Sequence, residues 1–138
     1  MFIYRTKIRL KSTDATGALY FSEQFNFAME TFEEFLKERG FSLKELMDSS
    51  YLFPVVHAQA DYFAPLQVGD ELEITLSVAK LGTSSVTLHY SLRNPHTEID
   101  VGTVEIVHVV VDKQTRQSVP IPDFLKAILK FTKSTVVA

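Results

Sequence analysis

Cysteine is absent from the sequence, and this absence excludes several kinds of chemistry. The chain cannot form a disulfide, cannot use a thiolate nucleophile and cannot bind zinc through cysteine. The histidines are also spaced unlike any known zinc site. We therefore predict no bound metal and no other cofactor, and the lack of cysteine fits a cytoplasmic protein.

Long apolar runs and a strong charge imbalance are also missing. No segment approaches the roughly 20 apolar residues of a membrane-spanning helix. The charged, alternating start of the chain contains no apolar core of a signal peptide. The net charge is only -3, which gives no reason to expect a nucleic acid partner. We therefore expect a cytoplasmic protein whose partners include neither a membrane nor a nucleic acid.

Tryptophan is missing too, but the sequence has 11 phenylalanines and 5 tyrosines, which predict an aromatic-rich core or an aromatic-lined pocket. The hydrophobic fraction of 46% and the charged fraction of 22% are typical of a folded domain and not of a disordered chain. A chain of 138 residues with no repeat and no linker-like segment predicts a single domain over residues 1–138.

The first half of the chain has two clear periodic patterns. Basic residues alternate with uncharged ones from Tyr4 to Lys11, which predicts a half-buried strand. Its basic face is open to two interpretations, a solvated surface or a phosphate-binding stripe. Apolar residues then recur at helical spacing from Ser22 to Arg39. Ser22 is the predicted N-cap of this long helix, and Gly40 is its predicted left-handed C-cap.

The rest of the chain is predicted to be mainly β-structure. A capping box at residues 42–45 predicts a short second helix, and a last helix is predicted over residues 123–130. Alternating or β-branched patterns predict four strands, over residues 55–63, 72–78, 86–92 and 101–111. The last of these is predicted to be a central strand covered on both faces. Consecutive strands joined without helices must pair antiparallel, so the fold class is α+β, with a curved antiparallel sheet wrapped around one long helix.

The segment at residues 12–20, which reads Ser-Thr-Asp-Ala-Thr-Gly-Ala-Leu-Tyr, places Asp14 in a tight loop just before the long helix. The N-terminus of a helix has unpaired backbone N–H groups and a partial positive charge. A carboxylate beside it can act as a base while one of these N–H groups polarises a carbonyl. The spacing alone is also typical of an ordinary turn, because Asp and Gly are common turn residues.

This segment and the predicted architecture together resemble the hotdog-fold acyl-CoA thioesterases of the 4-hydroxybenzoyl-CoA type. In that family, a first strand containing Arg is followed by Asp-Thr-Asp-x-x-Gly-x-Val-Tyr and the long helix. The resemblance extends from the first strand to about Pro120. Ser12 replaces the first acid of the motif, whereas the second acid, which is catalytic in the family, is retained as Asp14.

Within this family, the resemblance is strongest to the 1,4-dihydroxy-2-naphthoyl-CoA thioesterases of menaquinone and phylloquinone biosynthesis. The residues that carry it are Tyr20, Phe21, Glu30 and the segments 52–58, 61–65 and 69–70. The resemblance implies that Asp14 is the base or nucleophile and that the backbone N–H of Phe21 is the donor to the thioester oxygen. The other implied contacts are Tyr20, His57 and Gln59 for the substrate, and Lys80, Thr83 and Ser84 for CoA.

Two features keep alternatives open. Some family members hold the CoA phosphates with a basic cluster, but Lys80 is the single basic residue of the corresponding turn here, so acyl-carrier protein is a rival carrier. Some hotdog enzymes take their carboxylate from the helix, which makes Glu30 and Glu33 alternatives to Asp14. Glu30 lies off the apolar stripe of the helix, which favours a solvated or interface position for it.

The implied function is hydrolysis of an aromatic acyl-CoA to the free acid and CoA. The alternatives are an acyl-carrier-protein or short-chain acyl-CoA thioesterase, and a non-catalytic acyl-ligand-binding protein with the same fold. Because a sheet wrapped on one helix leaves an open edge, and because the family pairs such edges, we expect a homodimer or homotetramer. Asp14 of one chain is then expected to face the His57 strand of the other.

Overall fold

The computed structural model of the protein describes residues 1–130 and 135–137. Its strands are Phe2–Lys7 (β1), Tyr51–Leu52 (β2), Val55–Tyr62 (β3), Glu71–Leu81 (β4), Ser85–Asn94 (β5), Ile99–Val109 (β6), Val111–Asp112 (β7) and Thr135–Val137 (β8). Its helices are Glu23–Glu38 (α1), Leu43–Asp48 (α2) and Asp123–Ile128 (α3), and a 3₁₀ turn covers Leu10–Ser12. Within this part of the chain, no helix combines the length and the hydropathy needed to cross a membrane.

Six strands form one sheet in the order β3-β6-β5-β4-β1-β8, and β2 pairs with β7 in a separate two-stranded ribbon. Neighbouring strands of the sheet run antiparallel, except that β8 is parallel to β1. The long helix α1 packs on one face of this sheet and contacts β1, β4 and β6. This is the α+β hotdog arrangement that the sequence predicts.

The core lies between α1 and the sheet because both present one apolar face to it. Phe35 of α1 is fully buried and meets Phe2 of β1 edge to face, with ring centroids 5.6 Å apart. Burying a large apolar side chain stabilises the fold by about 1.5–3 kcal/mol. The buried residues of this core include Phe27, Ala28, Phe32 and Leu36 of α1, Leu72, Ile74 and Leu76 of β4, and Val86, Leu88, Tyr90 and Leu92 of β5.

The ends of the helices confirm two of the three predicted caps. Gly40 has a φ of +73°, which is the left-handed conformation expected after a helix. The Oγ of Ser42 accepts a hydrogen bond from the N–H of Glu45 at 3.1 Å, as the capping box requires. Ser22 was expected to be the N-cap of α1, but its backbone is already helical and its side chain makes no capping bond. Ser22 thus holds the predicted N-cap position, directly before Glu23, without capping the helix, and the N–H of Glu23 bonds the carbonyl of Tyr20 instead.

The first strand is shorter than its alternating pattern suggests. Its last pair with β4 is Lys7 with Glu71, and the N–H of Ile8 instead bonds the carbonyl of Asp70 in the turn before β4. Beyond that point the chain has no neighbouring strand, so it turns into the 3₁₀ segment, and Leu10 is 76% exposed. The prediction that the strand continues to Lys11 with Leu10 on its buried face is wrong for this reason.

Strand β6 is not a central strand covered on both faces, as its sequence suggests. It is the second strand from the β3 edge, with its buried side chains at alternate positions, such as Val104 and Ile106 under α1. Glu105 and Val107 on the other face are only partly buried. The β-branched run extends over both faces here even though α1 covers only one of them.

Candidate active site

The loop before α1 is a tight, hydrogen-bonded turn that carries Asp14. The N–H of Asp14 bonds the carbonyl of Ala18 at 2.8 Å, and the N–H of Gly17 bonds the carbonyl of Asp14 at 3.1 Å. Gly17 has a φ of +80°, a conformation that glycine adopts without strain. The N–H of Tyr20 then bonds the carbonyl of Ser12 at 2.9 Å and closes the loop at its base.

A second segment holds this loop in place. The N–H of Leu19 bonds the carbonyl of Leu66 at 2.7 Å, and the N–H of Val68 bonds the carbonyl of Gly17 at 2.9 Å. Both partners lie just before β4, so the loop is fixed to the edge of the folded core although its tip, residues 14–16, is exposed. The position of Asp14 is therefore set by backbone bonds on both sides.

The carboxylate of Asp14 is exposed, and its hydrogen bonds converge on one oxygen. Oδ1 accepts bonds from the hydroxyl of Thr16 at 2.6 Å, from the N–H of Thr16 at 2.8 Å and from the N–H of Ala18 at 3.3 Å. These bonds, with that of the Thr16 hydroxyl the strongest, hold the pKa of Asp14 below its usual value. Within the described chain no donor bonds Oδ2, so the ionised carboxylate has one oxygen available for chemistry.

The start of α1 provides a backbone donor close to this loop. The carbonyl of Tyr20 points along the helix and accepts the N–H of Glu23 at 2.9 Å. Because N–H and C=O point in opposite directions across a trans peptide, the N–H of Phe21 points away from the helix. Among the described residues it meets no acceptor. It is one of the unpaired N–H groups expected at a helix start, and it can donate to a substrate oxygen.

Two side chains that the sequence did not suggest fix this helix start to the sheet. The hydroxyl of Tyr62 donates to the carbonyl of Phe21 at 2.6 Å. The amide of Gln24 donates to the carbonyls of Asp61 and Thr103, at 2.9 and 3.0 Å. These partners are 37 to 79 residues apart in sequence, so no local pattern could have indicated them.

A mostly apolar cleft of about 420 Å³ opens beside the start of α1. Its walls include Phe21, Tyr62, Phe63 and Leu66, and Gln24 also lines it. Phe21, Tyr62 and Phe63 are each at least half exposed, which is unusual for a group of large aromatic side chains. Tyr20 packs against Phe21, with ring centroids 4.8 Å apart, and is itself 45% exposed.

A larger cleft of about 540 Å³ lies along α1 and the end of β1. Glu30 and Glu33, the alternative carboxylates, line it together with Lys7, Arg9 and Lys11. The basic residues of the alternating segment thus face helix glutamates of opposite charge. We regard the smaller cleft as the better candidate site because Phe21 lines it, although Asp14 lines neither of these two clefts.

The predicted substrate residues of β3 lie on the other face of the sheet. His57 and Gln59 contact each other at 3.2 Å and pair with Val107 and Glu105 of β6 on the face away from α1. Tyr62, in contrast, pairs with Gly102 on the face that α1 covers. Within one chain, the structure therefore brings Tyr20 and Phe21 close to the Asp14 loop but not His57 or Gln59.

The predicted CoA residues lie at the opposite end of the sheet from Asp14. Lys80 is near the end of β4, and Thr83 and Ser84 form the turn to β5. The Asp14 loop lies near the start of β4, about 30 Å away along an 11-residue strand. A site that contains both sets of residues would need a second chain. Among the described residues, no group of three acidic or histidine side chains is arranged to hold a metal ion.

Comparison with known proteins identifies the family. The model of the thioesterase-like superfamily matches residues 8–129. The 1,4-dihydroxy-2-naphthoyl-CoA hydrolase of Rippkaea orientalis is 34% identical over 135 residues, which are 96% of this chain and 97% of that protein. The hydrolase of the same name from Prochlorococcus marinus is 37% identical over 118 residues, 80% of this chain and 77% of that protein.

Solved structures agree with the fold. The crystal structure of a 1,4-dihydroxy-2-naphthoyl-CoA thioesterase from Synechocystis superposes with a TM-score of 0.87 at 24% identity, over 93% of this chain and 94% of that chain. A protein of Aquifex aeolicus gives the same TM-score at 28% identity, over 94% of this chain and all of that chain. The chain belongs to the thioesterase-like superfamily and is a hotdog-fold thioester hydrolase.

Proposed function

We propose that this protein hydrolyses an aromatic acyl-CoA of the 1,4-dihydroxy-2-naphthoyl-CoA type to the free acid and CoA. The proposal depends on one observation, the presence of two suitable groups in neighbouring segments. Asp14 is ionised and accepts hydrogen bonds through Oδ1 alone, and the N–H of Phe21 at the start of α1 meets no acceptor among the described residues. The relatives with the same activity in their names cover nearly the whole chain, which supports the acyl group.

Thioester hydrolysis needs no more apparatus than these two groups. The Phe21 N–H stabilises the negative charge that develops on the carbonyl oxygen. Asp14 uses the free Oδ2 in one of two ways: it attacks the carbonyl carbon to give a mixed anhydride that water then hydrolyses, or it takes a proton from a water that attacks the carbonyl carbon directly. The thiol of CoA, with a pKa of about 8.5, leaves as a thiolate without a strong acid. The aromatic walls at Phe21, Tyr62 and Phe63 favour a flat, apolar acyl group.

We further propose that the working enzyme is at least a homodimer, paired through β3. This edge strand is exposed along almost its whole length, from Val55 at 46% to Tyr62 at 50%. A long exposed edge strand is normally paired or covered. A two-fold axis would pair the two β3 strands antiparallel, which brings the Val55 end of one chain beside the Tyr62 end of the other.

This pairing would also bring the proposed CoA contacts close to the Asp14 loop. In each chain, the Val55 end of the sheet is the end that carries the turn with Lys80, Thr83 and Ser84, since Val55 pairs with His108 and His108 pairs with Val86. In the dimer, the partner's turn would therefore approach the Asp14 loop. We propose Lys80, Thr83 and Ser84 as CoA contacts from the second chain.

His57 and Gln59 would come to the same end of the site, together with Tyr20 of the first chain. Because His57 and Gln59 project from the face away from α1, we propose for them a smaller contribution to turnover than for Asp14. We also propose a cytoplasmic location, which the lack of cysteine supports, and catalysis without a cofactor.

A thiol-release assay tests the reaction and the carrier. Wild-type protein is mixed with the same aromatic acyl group on CoA and on an acyl-carrier protein, and free thiol is measured over time. We expect faster release from CoA. Faster release from the carrier protein would favour the alternative suggested by the single basic residue of the 80–84 turn. Tight binding of the acyl-CoA without release would identify a non-catalytic ligand-binding protein.

A further inference from the structure

The start of α1 and the last two residues of β3 are bonded to each other twice. Tyr62 donates its hydroxyl to the carbonyl of Phe21, and Gln24 donates its amide to the carbonyl of Asp61. The Tyr62 side chain is half exposed, so its hydroxyl is not needed to fill the core. Its bond of 2.6 Å nevertheless joins two segments 41 residues apart, and it ends on the residue whose N–H we assign to the substrate oxygen.

The Gln24 bonds make the first turn of α1 rigid. The side chain is only 2% exposed, and its amide also bonds the carbonyl of Thr103 on the next strand. Gly102 lies between these partners and leaves room for them. A Cβ at Gly102 would lie 2.5 Å from the carbonyl of Asp61 and 2.6 Å from the amide nitrogen of Gln24. The turn that follows Phe21 is therefore anchored from inside the core, independently of Tyr62.

Phe21 lies between two peptide groups, and each is held by a different bond. The peptide that carries its N–H is held through the carbonyl of Tyr20, which accepts the N–H of Glu23. The peptide that follows Phe21 is held by the Tyr62 hydroxyl. With both peptides fixed, the direction of the Phe21 N–H is set before the substrate binds. Oxyanion donors are effective because they are oriented in advance and need no reorganisation during the reaction.

We propose that Tyr62 is a positioning residue for the oxyanion donor. Its hydroxyl holds the Phe21–Ser22 peptide so that the Phe21 N–H points at the thioester oxygen. This inference rests on the proposed function, because it gives the Phe21 N–H its role in thioester hydrolysis. It assigns to the Tyr62 hydroxyl an effect on turnover and not on substrate affinity.

The kinetic test compares Tyr62→Phe with wild type, using thiol release from an aromatic acyl-CoA. The variant keeps the ring that lines the cleft and loses only the bond to Phe21. We expect kcat to fall about threefold to tenfold, the effect of losing one hydrogen bond of this kind, with KM unchanged. Tyr51→Phe is the matched control, because Tyr51 lies on β2 beside Phe124, away from the start of α1. Its kcat is expected to equal that of wild type.

A spectroscopic measurement separates positioning from a structural role. The Asp14→Asn variant holds an uncleaved thioester carrying a ¹³C label in its carbonyl, and the infrared stretching frequency of that carbonyl reports the hydrogen bond from Phe21. We expect a frequency below that of the free thioester in Asp14→Asn. In the double variant with Tyr62→Phe, we expect part of this lowering to be lost.

Two results would overturn the inference. One is an unchanged kcat and an unchanged carbonyl frequency after Tyr62→Phe. The other is a fall in kcat accompanied by a matching loss of folding stability or of assembly, with an unchanged frequency, since that would be a purely structural effect. Failure of the proposed function is distinguishable from both, because wild-type protein itself would then release no thiol from any thioester.

Discussion

At the scale of single residues, Asp14 and Asp112 are alike in that the Oδ1 of each accepts backbone N–H groups from the residues that follow it. The Oδ1 of Asp112 accepts the N–H groups of Gln114 and Thr115, each at 2.9 Å, in the same kind of turn that Thr16 forms around Asp14. Asp14 is exposed and Asp112 is partly buried, and backbone hydrogen bonds hold the pKa of Asp112 below its usual value as well. The difference lies in what surrounds them, because only Asp14 adjoins the start of α1 and the Phe21 N–H.

This likeness makes Asp112→Asn a matched control for Asp14→Asn. We expect Asp14→Asn to fold normally, since the asparagine oxygen can accept the same bonds from Thr16 and Ala18. Its kcat should fall by about a hundredfold or more, because the amide is neither a base nor a nucleophile. Asp112→Asn should keep the wild-type kcat in the same thiol-release assay. Near wild-type turnover of Asp14→Asn would remove Asp14 from the mechanism and favour Glu30 or Glu33.

The burial of His108 leads us to expect that the free energy of unfolding depends on pH. It is 1% exposed, its Nδ1 lies 3.0 Å from the carbonyl of Phe53, and its ring stacks on that of Phe53 at 4.3 Å. Because a carbonyl only accepts, Nδ1 carries the proton of the neutral ring. Burial lowers the pKa of His108 below the usual 6.5. Below pH 6.5 the unfolded chain therefore binds a proton that the folded chain does not, and the free energy of unfolding falls as the pH decreases.

The measurement is urea unfolding at pH values on both sides of 6.5, for wild type and for His108→Gln. The side chain of the variant does not titrate, so the difference between the two proteins isolates the contribution of His108 from those of other groups. We expect the wild-type protein to lose more stability than the variant on acidification. An equal loss in both proteins would show that His108 does not titrate differently in the folded and unfolded states.

At the scale of elements, the contact of α1 with β3 and β6 depends on the absence of a Cβ at Gly102. Gly102→Ala should destabilise the fold by about 1–3 kcal/mol, because the new methyl group would displace the Gln24 amide or the Asp61 carbonyl. Gly82→Ala is the control, since a Cβ there would lie 3.0 Å from the movable Oγ of Ser85 and 3.3 Å from the Ser85 carbonyl oxygen, both longer than the contacts at Gly102. Chemical denaturation measures both. Equal stabilities of the two variants would contradict the close contact at Gly102.

The elements that could be predicted from the sequence are those determined by local chemistry. Gly40 and the capping box at Ser42 have signals within four residues of the positions they fix. The end of β1 at Lys7 could not be predicted, because it depends on where β4 begins more than sixty residues later. The place of β6 next to an edge likewise depends on the order of all the strands.

The same division applies to the candidate site. Asp14 is part of a compact motif and could be proposed from the sequence, whereas Gln24 and Tyr62 act through bonds to backbone carbonyls far along the chain. A backbone carbonyl has no sequence signature, so these bonds become visible only in the folded structure. The face of β3 that carries His57 and Gln59 was predicted from alternation, but the side of the sheet covered by α1 was not.

At the scale of the whole molecule, the two edges of the sheet differ. The short strand β8 lies along one edge, whereas β3 leaves the other edge open over eight residues. We expect light scattering at micromolar concentration to give a mass of at least twice the 15.6 kDa of the chain. An active monomer would contradict both the pairing through β3 and the proposed contribution of Lys80, Thr83 and Ser84 from a second chain.

The central claim, an aromatic acyl-CoA thioesterase, is tested most directly by one ratio. The kcat/KM for 1,4-dihydroxy-2-naphthoyl-CoA is divided by that for butyryl-CoA, both measured by thiol release with the same wild-type preparation. Because the cleft beside the Phe21 N–H is walled by aromatic side chains, we predict a ratio well above one. A ratio below one would contradict the aromatic assignment and favour a short-chain acyl-CoA thioesterase on the same fold.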